Sequence, residues 1–335
     1  MSLTSELRTK SSFARTFIDR EFPHLQALSI EINKSLRCFD AIEHTKYPDL
    51  YTYSIIGTAT DYRIRAFFTK SSYLGSGIQR GLWTLAAPSG IMTTKLVSGR
   101  WKVIDDFENQ LHGRSLNIEF NKYSKRLFSK IDPARQTLRP AQEQRLCRYC
   151  VVLARIDHAG RGSDAFFRDA MKTGIFDVER LVAAVDGRWV DDIAVLTKSF
   201  REKNAGLIGS FSNVFDGNTL AGSSDIGGAD LDLVIDGRVM EIKTTVKPKI
   251  TTDHLRQILG YWLLDYHDKF KIRSASVYLT RQGHEQRFDI RSDLLRTRRS
   301  MRDLRKQFRD GLRKNVPTIG LPTPNAVRSM PFETA

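Results

Sequence analysis

Apolar positions recur at two different periods along this chain, and the change of period divides it. To about Phe68 the pattern is mixed, and from about residue 70 to 205 the period is mostly helical. A helix is expected from Phe13 to Phe39. A second opens near Gly57, where Gly57-Thr58-Ala59-Thr60-Asp61 reads as a loop turning into a helix, its small residues allowing close backbone approach. Residues 70–205 read as a mainly helical lobe. RLCRYCVVLARI (145–156) and VERLVAAV (178–185) carry apolar residues at helical spacing, Asp177 suits the N-cap before Val178, and Asp186-Gly187 punctuates the pattern. Ile193, Leu196 and Phe200 then share one face of a helix from Trp189 to Lys203.

After Gly206 the period shortens to two. Ala229 to Ile235 is expected as a strand, Asp236-Gly237 as a tight hairpin turn, and Arg238 to Thr244 as the return strand. A loop punctuated by Pro248 and Thr251 leads into an amphipathic helix from about Asp253 to Asp265. Another strand follows at Ala275 to Thr280, with Phe288 to Ile290 beside it. The final section places Leu294, Met301, Leu304, Phe308 and Leu312 at helical spacing among many arginines. Such a basic helix suits either a nucleic-acid backbone or a solvated cover over the core. The implied division is 1–69, 70–205, 206–292 and 293–335. The class is α/β, a mixed sheet flanked by helices with a large N-terminal and inserted helical lobe.

Counting outward from the Asp236-Gly237 turn fixes the hairpin register. Leu233 then opposes Met240, Asp232 opposes Glu241, and Asp230 opposes Lys243. Alternation along a strand puts Asp230, Asp232, Glu241 and Lys243 on one face. Directly opposed carboxylates repel, by roughly 4 kcal/mol at about 4 Å and an effective dielectric near 20. A hard divalent cation resolves this, and a neighbouring lysine can then position or deprotonate a water for metal-assisted hydrolysis. As a bare string the same residues also suit a charged hairpin at a sheet edge.

Composition changes the picture in one respect. Across 335 residues the formal charge is +15, which calls for a polyanionic partner, nucleic acid first. An ordinary balance of 41% hydrophobic and 27% charged residues predicts a folded chain. Cys38, Cys147 and Cys150 are too few for a disulfide framework, and no apolar run resembles a signal core or a membrane span. A cytoplasmic protein without a membrane partner is expected, of a size that exceeds the usual single domain.

Asp232 followed by Glu241-Ile242-Lys243 resembles the PD-(D/E)XK nuclease superfamily, and Gln257 with Tyr261 on the next helix resembles the Q-x-x-x-Y arrangement of RecB-type nuclease domains. The likeness runs from about Gly206 to Ile290. It implies a restriction-endonuclease-like core and a nuclease dependent on Mg²⁺ or Mn²⁺. Asp232, Glu241 and the carbonyl of Ile242 would hold the metal, with Asp230 as the competing leading acid. Lys243 would serve the attacking water, and Gln257 and Tyr261 would orient the site or the substrate. Those domains carry a metal-binding His in a G-x-x-x-H pattern, and Asp61 stands at that position after Gly57; an Asp61–Arg65 pair one turn apart is the rival reading. The resemblance extends to a group of uncharacterised bacterial proteins, and the family's habits point to DNA as substrate, in genome defence or repair. The rivals are an inactive nucleic-acid-binding member of the fold, an RNA-directed nuclease, and a protein-interaction module.

Three weaker signals have structural explanations. Cys147 and Cys150 form a C-x-x-C on one helix face, which reads as a buried pair rather than half of a zinc site. Gly75, Gly77 and Gly81 lack a preceding strand and read as a loop. His254 and His267 flank the Gln257 helix and read as structural or solvated.

Overall fold

The strands expected from the two-residue period lie in one five-stranded mixed sheet whose strands neighbour one another in chain order. This arrangement comes from a computed structural model, which describes residues 2–43, 45–69, 78, 94–97, 100–103, 107–130, 138–160, 178–216, 220–229 and 231–315. In chain order, α1 (Leu3–Arg8), α2 (Phe13–Glu21), α3 (Leu25–Leu36) and α4 (Leu50–Arg65) come first. A hairpin of β1 (Thr94–Val97) and β2 (Arg100–Val103) follows, with α5 (Phe107–Lys130), α6 (Pro140–Gly160), α7 (Val178–Ala183), α8 (Gly187–Lys203) and α9 (Ala205–Ser210). The sheet is then built from β3 (Val214–Asp216), β4 (Leu233–Ile235), β5 (Arg238–Lys243), β6 (Ser274–Leu279) and β7 (His284–Asp289). Helix α10 (Thr252–Leu264) connects the parallel pair β5 and β6, and α11 (Met301–Asn315) closes the described chain.

The hairpin forms in the expected register, with Leu233 opposite Met240, Val234 opposite Val239 and Ile235 opposite Arg238. Its turn residues have positive φ, 48° at Asp236 and 78° at Gly237, as a type I′ turn requires. Strand β4, however, begins at Leu233, not at Ala229. The preceding residues are held elsewhere: the Ala229 amide donates to Ser223 Oγ at 2.7 Å, and the Gly228 carbonyl accepts from Leu3 of α1 at 2.8 Å. Asp232 therefore lies in a bend just before the strand.

Other local expectations are revised for physical reasons. The helix foreseen from Phe13 to Phe39 is two helices, because Pro23 supplies no amide and restricts Phe22 before it. Helix α4 begins at Leu50, with Asp49 accepting from the Thr52 amide at 2.7 Å, so Gly57 is inside the helix rather than in a loop before it. A Cβ there would meet Thr244 Cβ, just past the end of β5, at 3.5 Å, an ordinary contact, so the position does not require glycine. The last helix does not include Leu294; that residue sits in a π-helical turn, Ile290–Leu295, closed by Arg296 at φ 43°. The β1–β2 hairpin interrupts the stretch expected to be mainly helical. Asp177 and the glycines at 75, 77 and 81 lie outside the described residues.

One sheet face, through Val234, Val239, Ala275 and Val277, packs on α1, α2, α3, α10 and α11. The other, through Leu233, Ile235, Met240, Ile242 and Tyr278, meets Ile64, Phe67, Phe68, Phe200 and Ile208. Helices α4 to α8 share a third core, in which Cys147 and Cys150 are buried. Helix α4 thus belongs to two cores, and its last turn is carried to the sheet. A fully buried pair ties α8 to the turn after β6: Arg281 Nη1 and Nη2 donate to the two Asp192 oxygens at 3.0 and 2.8 Å. Among the described residues no helix is long and apolar enough to cross a membrane.

Candidate functional site

Charged side chains gather where β5 ends, between the last turn of α4 and the first turns of α10. Alternation brings Glu241 and Lys243 to the sheet face covered by α10. Glu241 is 1% exposed, an unusual position for a carboxylate. Its Oε1 accepts from Lys243 Nζ, while its Oε2 is buried with no hydrogen-bond partner among the described residues. Lys243 Nζ also donates to Gln257 Oε1 at 3.4 Å, and Gln257 Nε2 donates to Tyr261 Oη at 2.7 Å. The one-turn spacing on α10 makes this relay possible, because residues four apart share a helix face.

Asp232 approaches from the β4 side. Its Oδ2 accepts the Ile242 amide at 3.2 Å, a side-chain bond where the β4 backbone has left the ladder. Its Oδ1 accepts from Arg65 Nη2 at 3.0 Å. Arg65 is also hydrogen-bonded to both Asp61 oxygens, with Nε 3.0 Å from Oδ1 and Nη2 on Oδ2, and its Nη1 is 3.5 Å from Asp216 Oδ1. Asp216 further accepts from Thr69 Oγ1 at 3.2 Å.

Asp61, Asp216, Asp232 and Glu241 stand against Arg65 and Lys243, four carboxylates to two cations. The imbalance shows in the proton affinities. Burial drives the Asp61 carboxyl up to about 8, with Asp232 and Asp216 adding to the rise and Arg65 opposing it. Burial and the Asp232 charge raise Glu241 to about 7 against the pull of Lys243 and Arg65. Asp216 is raised as well, by burial. Burial works against the Lys243 ammonium, but Glu241 and Asp232 outweigh it, and its pKa is raised. The carboxylates are short of positive charge.

Asp232, Glu241, Ile242, Lys243, Gln257 and Tyr261 are therefore brought together, with Asp61 alongside through Arg65; Asp230 lies outside the described residues. Two participants escaped sequence reasoning. Arg65 shows in the sequence only as a one-turn partner of Asp61, and Asp216 only as the end of a short alternating segment. Among the described residues no three His, Cys, Asp or Glu side chains form a metal-binding group by themselves. A magnesium-like ion does not need three, since it binds through one or two carboxylates and retains waters. The partnerless Glu241 oxygen, the neighbouring Asp232 carboxylate and the Ile242 carbonyl fit that hard-oxygen preference.

His254 and the Cys147–Cys150 pair are structural. The Thr251 amide donates to His254 Nδ1 at 3.3 Å and Thr251 Oγ1 accepts the His254 amide, a reciprocal cap that starts α10. Burial and Lys243 lower the pKa of His254 to about 4, so it is neutral. His267 is exposed. Burial raises the thiols of Cys147 and Cys150, which keeps them unreactive. Compared with protein-family models, with curated proteins and with solved structures, the chain matches none.

Proposed function

We propose that this chain is a metal-dependent nuclease of the PD-(D/E)XK type, with a restriction-endonuclease-like core, that hydrolyses phosphodiester bonds of DNA. One observation carries the reading: the buried Glu241 carboxylate keeps an oxygen without a partner among the described residues, beside Asp232, in a cluster where negative charge exceeds positive and a lysine is at hand. Purely structural ion pairs leave no such excess, because an uncompensated buried carboxylate costs several kcal/mol, on the order of 3–5 when one partner is missing. The formal charge of +15 supplies the attraction for a polyanion.

Asp232, Glu241 and the carbonyl of Ile242 would hold the ion. A divalent ion there supplies Lewis acidity to the phosphate and lowers the pKa of a coordinated water. Lys243, kept as an ammonium by Glu241 and Asp232, orients the attacking water and offsets charge developing on the phosphate. Gln257 fixes the direction of Lys243, and Tyr261 fixes Gln257. In the reaction the water oxygen bonds to phosphorus, the phosphorus bond to the leaving sugar oxygen breaks, and that oxygen takes one of the water protons. The exposed basic side of α11, with Arg302, Lys306, Arg313 and Lys314, would contact the phosphate backbone, while Leu304, Phe308 and Leu312 cover the core.

The test is incubation of purified protein with linear, circular and single-stranded DNA and with RNA, each with Mg²⁺, Mn²⁺ or EDTA. Cleavage of DNA should require the ion, and a Lys243→Ala variant should bind DNA but lose cleavage by at least about 100-fold. Undiminished cleavage by Lys243→Ala, or cleavage in EDTA, would overturn the reading.

A further inference from the structure

Resting on the nuclease reading, the next question is how many ions the site takes. Arg65 lies at the middle of the acidic cluster, in contact with Asp61, Asp216 and Asp232. Its side chain is 13% exposed, and those of the three acids are 14%, 7% and 19% exposed, so the group is largely withdrawn from water. A guanidinium is planar, permanently charged and carries five N–H donors, which lets one side chain satisfy several carboxylates at once. Both Asp61 oxygens accept from Arg65, and helix α4 holds the two residues one turn apart.

We propose that Arg65 is the resident cation of this site: it occupies the place among Asp61, Asp216 and Asp232 that a second divalent ion would require, so the chain binds a single divalent ion, at Asp232 and Glu241. The charge count agrees. When Asp61, Asp216, Asp232 and Glu241 are all ionised, Arg65 and Lys243 leave an excess of two negative charges, which one divalent ion neutralises. A second ion beside Arg65 would leave the buried cluster with an excess of two positive charges, and to take the place of Arg65 it would have to displace a guanidinium from three carboxylates. Asp61 is on this account an anchor for Arg65 and not itself a metal ligand. Glu241 Oε2, buried and without a partner among the described residues, is the acceptor left for the ion.

The experiment counts Mn²⁺ bound per full-length chain, by calorimetric titration and by the electron paramagnetic resonance of free Mn²⁺, for wild type, Arg65→Lys and Arg65→Gln. One ion is expected for wild type and for Arg65→Lys, and two for Arg65→Gln, where Asp61 and Asp216 become available. Thermal unfolding with and without Mn²⁺ accompanies the count, and Mn²⁺ should raise the melting temperature of Arg65→Gln more than that of wild type. Two ions on the wild-type chain, or one on a folded Arg65→Gln, would overturn the inference; if Arg65→Gln does not fold, the wild-type count decides it alone. Two ions together with ion-dependent cleavage would leave the nuclease reading standing, whereas no uptake and no cleavage would remove both.

Discussion

Asp232 holds the Ile242 amide at 3.2 Å on the one flank of β5 where β4 has already stopped. A single side chain thereby completes the ladder and points a carboxylate at the site. These two duties separate on substitution. Asp232→Asn keeps an oxygen for the Ile242 amide, so its stability should stay within about 1 kcal/mol of wild type while cleavage falls by at least about 100-fold. Asp232→Ala should add a destabilisation of about 1–3 kcal/mol, because the amide loses its partner. Urea denaturation and single-turnover cleavage of both variants measure the split, and equal stability of the two would show that the bond contributes nothing.

Gln257 links Lys243 to Tyr261, accepting from one and donating to the other. Removing the middle of a relay does more harm than removing its end. Gln257→Ala should lower the cleavage rate by about 10-fold or more, and Tyr261→Phe by less, with little change in melting temperature for either. Tyr261→Phe proving the more damaging would mean that the hydroxyl meets substrate directly rather than steadying Gln257.

Glu241 titrates from 4.5 in its ordinary state to about 7 in the fold. Between those values the folded protein holds a proton that the unfolded chain has lost, so stability owed to this group falls as pH rises across that window and is level above it. A Glu241→Gln variant lacks the titration. The stability of wild type relative to Glu241→Gln, measured by urea denaturation in EDTA, should therefore decline from pH 4.5 to about 7. Excess Mg²⁺ should restore much of the difference at the upper end, since the ion takes the place of the proton. A difference that grows with pH in EDTA would contradict the burial of an uncompensated carboxylate.

Arg281 and Asp192 join the helical lobe to the sheet through a two-pronged pair whose side chains are 0% and 2% exposed. Breaking one side leaves the other charge buried. Asp192→Ala should cost about 3–5 kcal/mol of stability in urea denaturation, whereas an exposed pair such as Lys306 with Asp310 should be worth less than about 1 kcal/mol. Comparable losses at the two sites would mean that water reaches Asp192.

What the amino-acid sequence determined alone is whatever rests on neighbours along the chain. The Asp236-Gly237 turn sets the strand register through φ values few residues adopt, and that register carries Glu241 and Lys243 to one face. The 3.6-residue period likewise places Gln257 and Tyr261 together on α10. Tertiary structure decided the rest. Arg65 and Asp232 are 167 positions apart, and Arg65 and Asp216 are 151 apart, so no local period could bring them together. They meet because α4 is shared between the helical core and the sheet, and because β3 enters at the sheet edge beside β4. The early end of β4 was hidden for the same reason: strand alternation continues through Asp232, but α1 and the Ser223 hydroxyl capture Gly228 and Ala229 from across the fold. Short-range stereochemistry writes itself into a sequence, whereas long-range competition for hydrogen bonds and buried charge is settled only when the chain has packed.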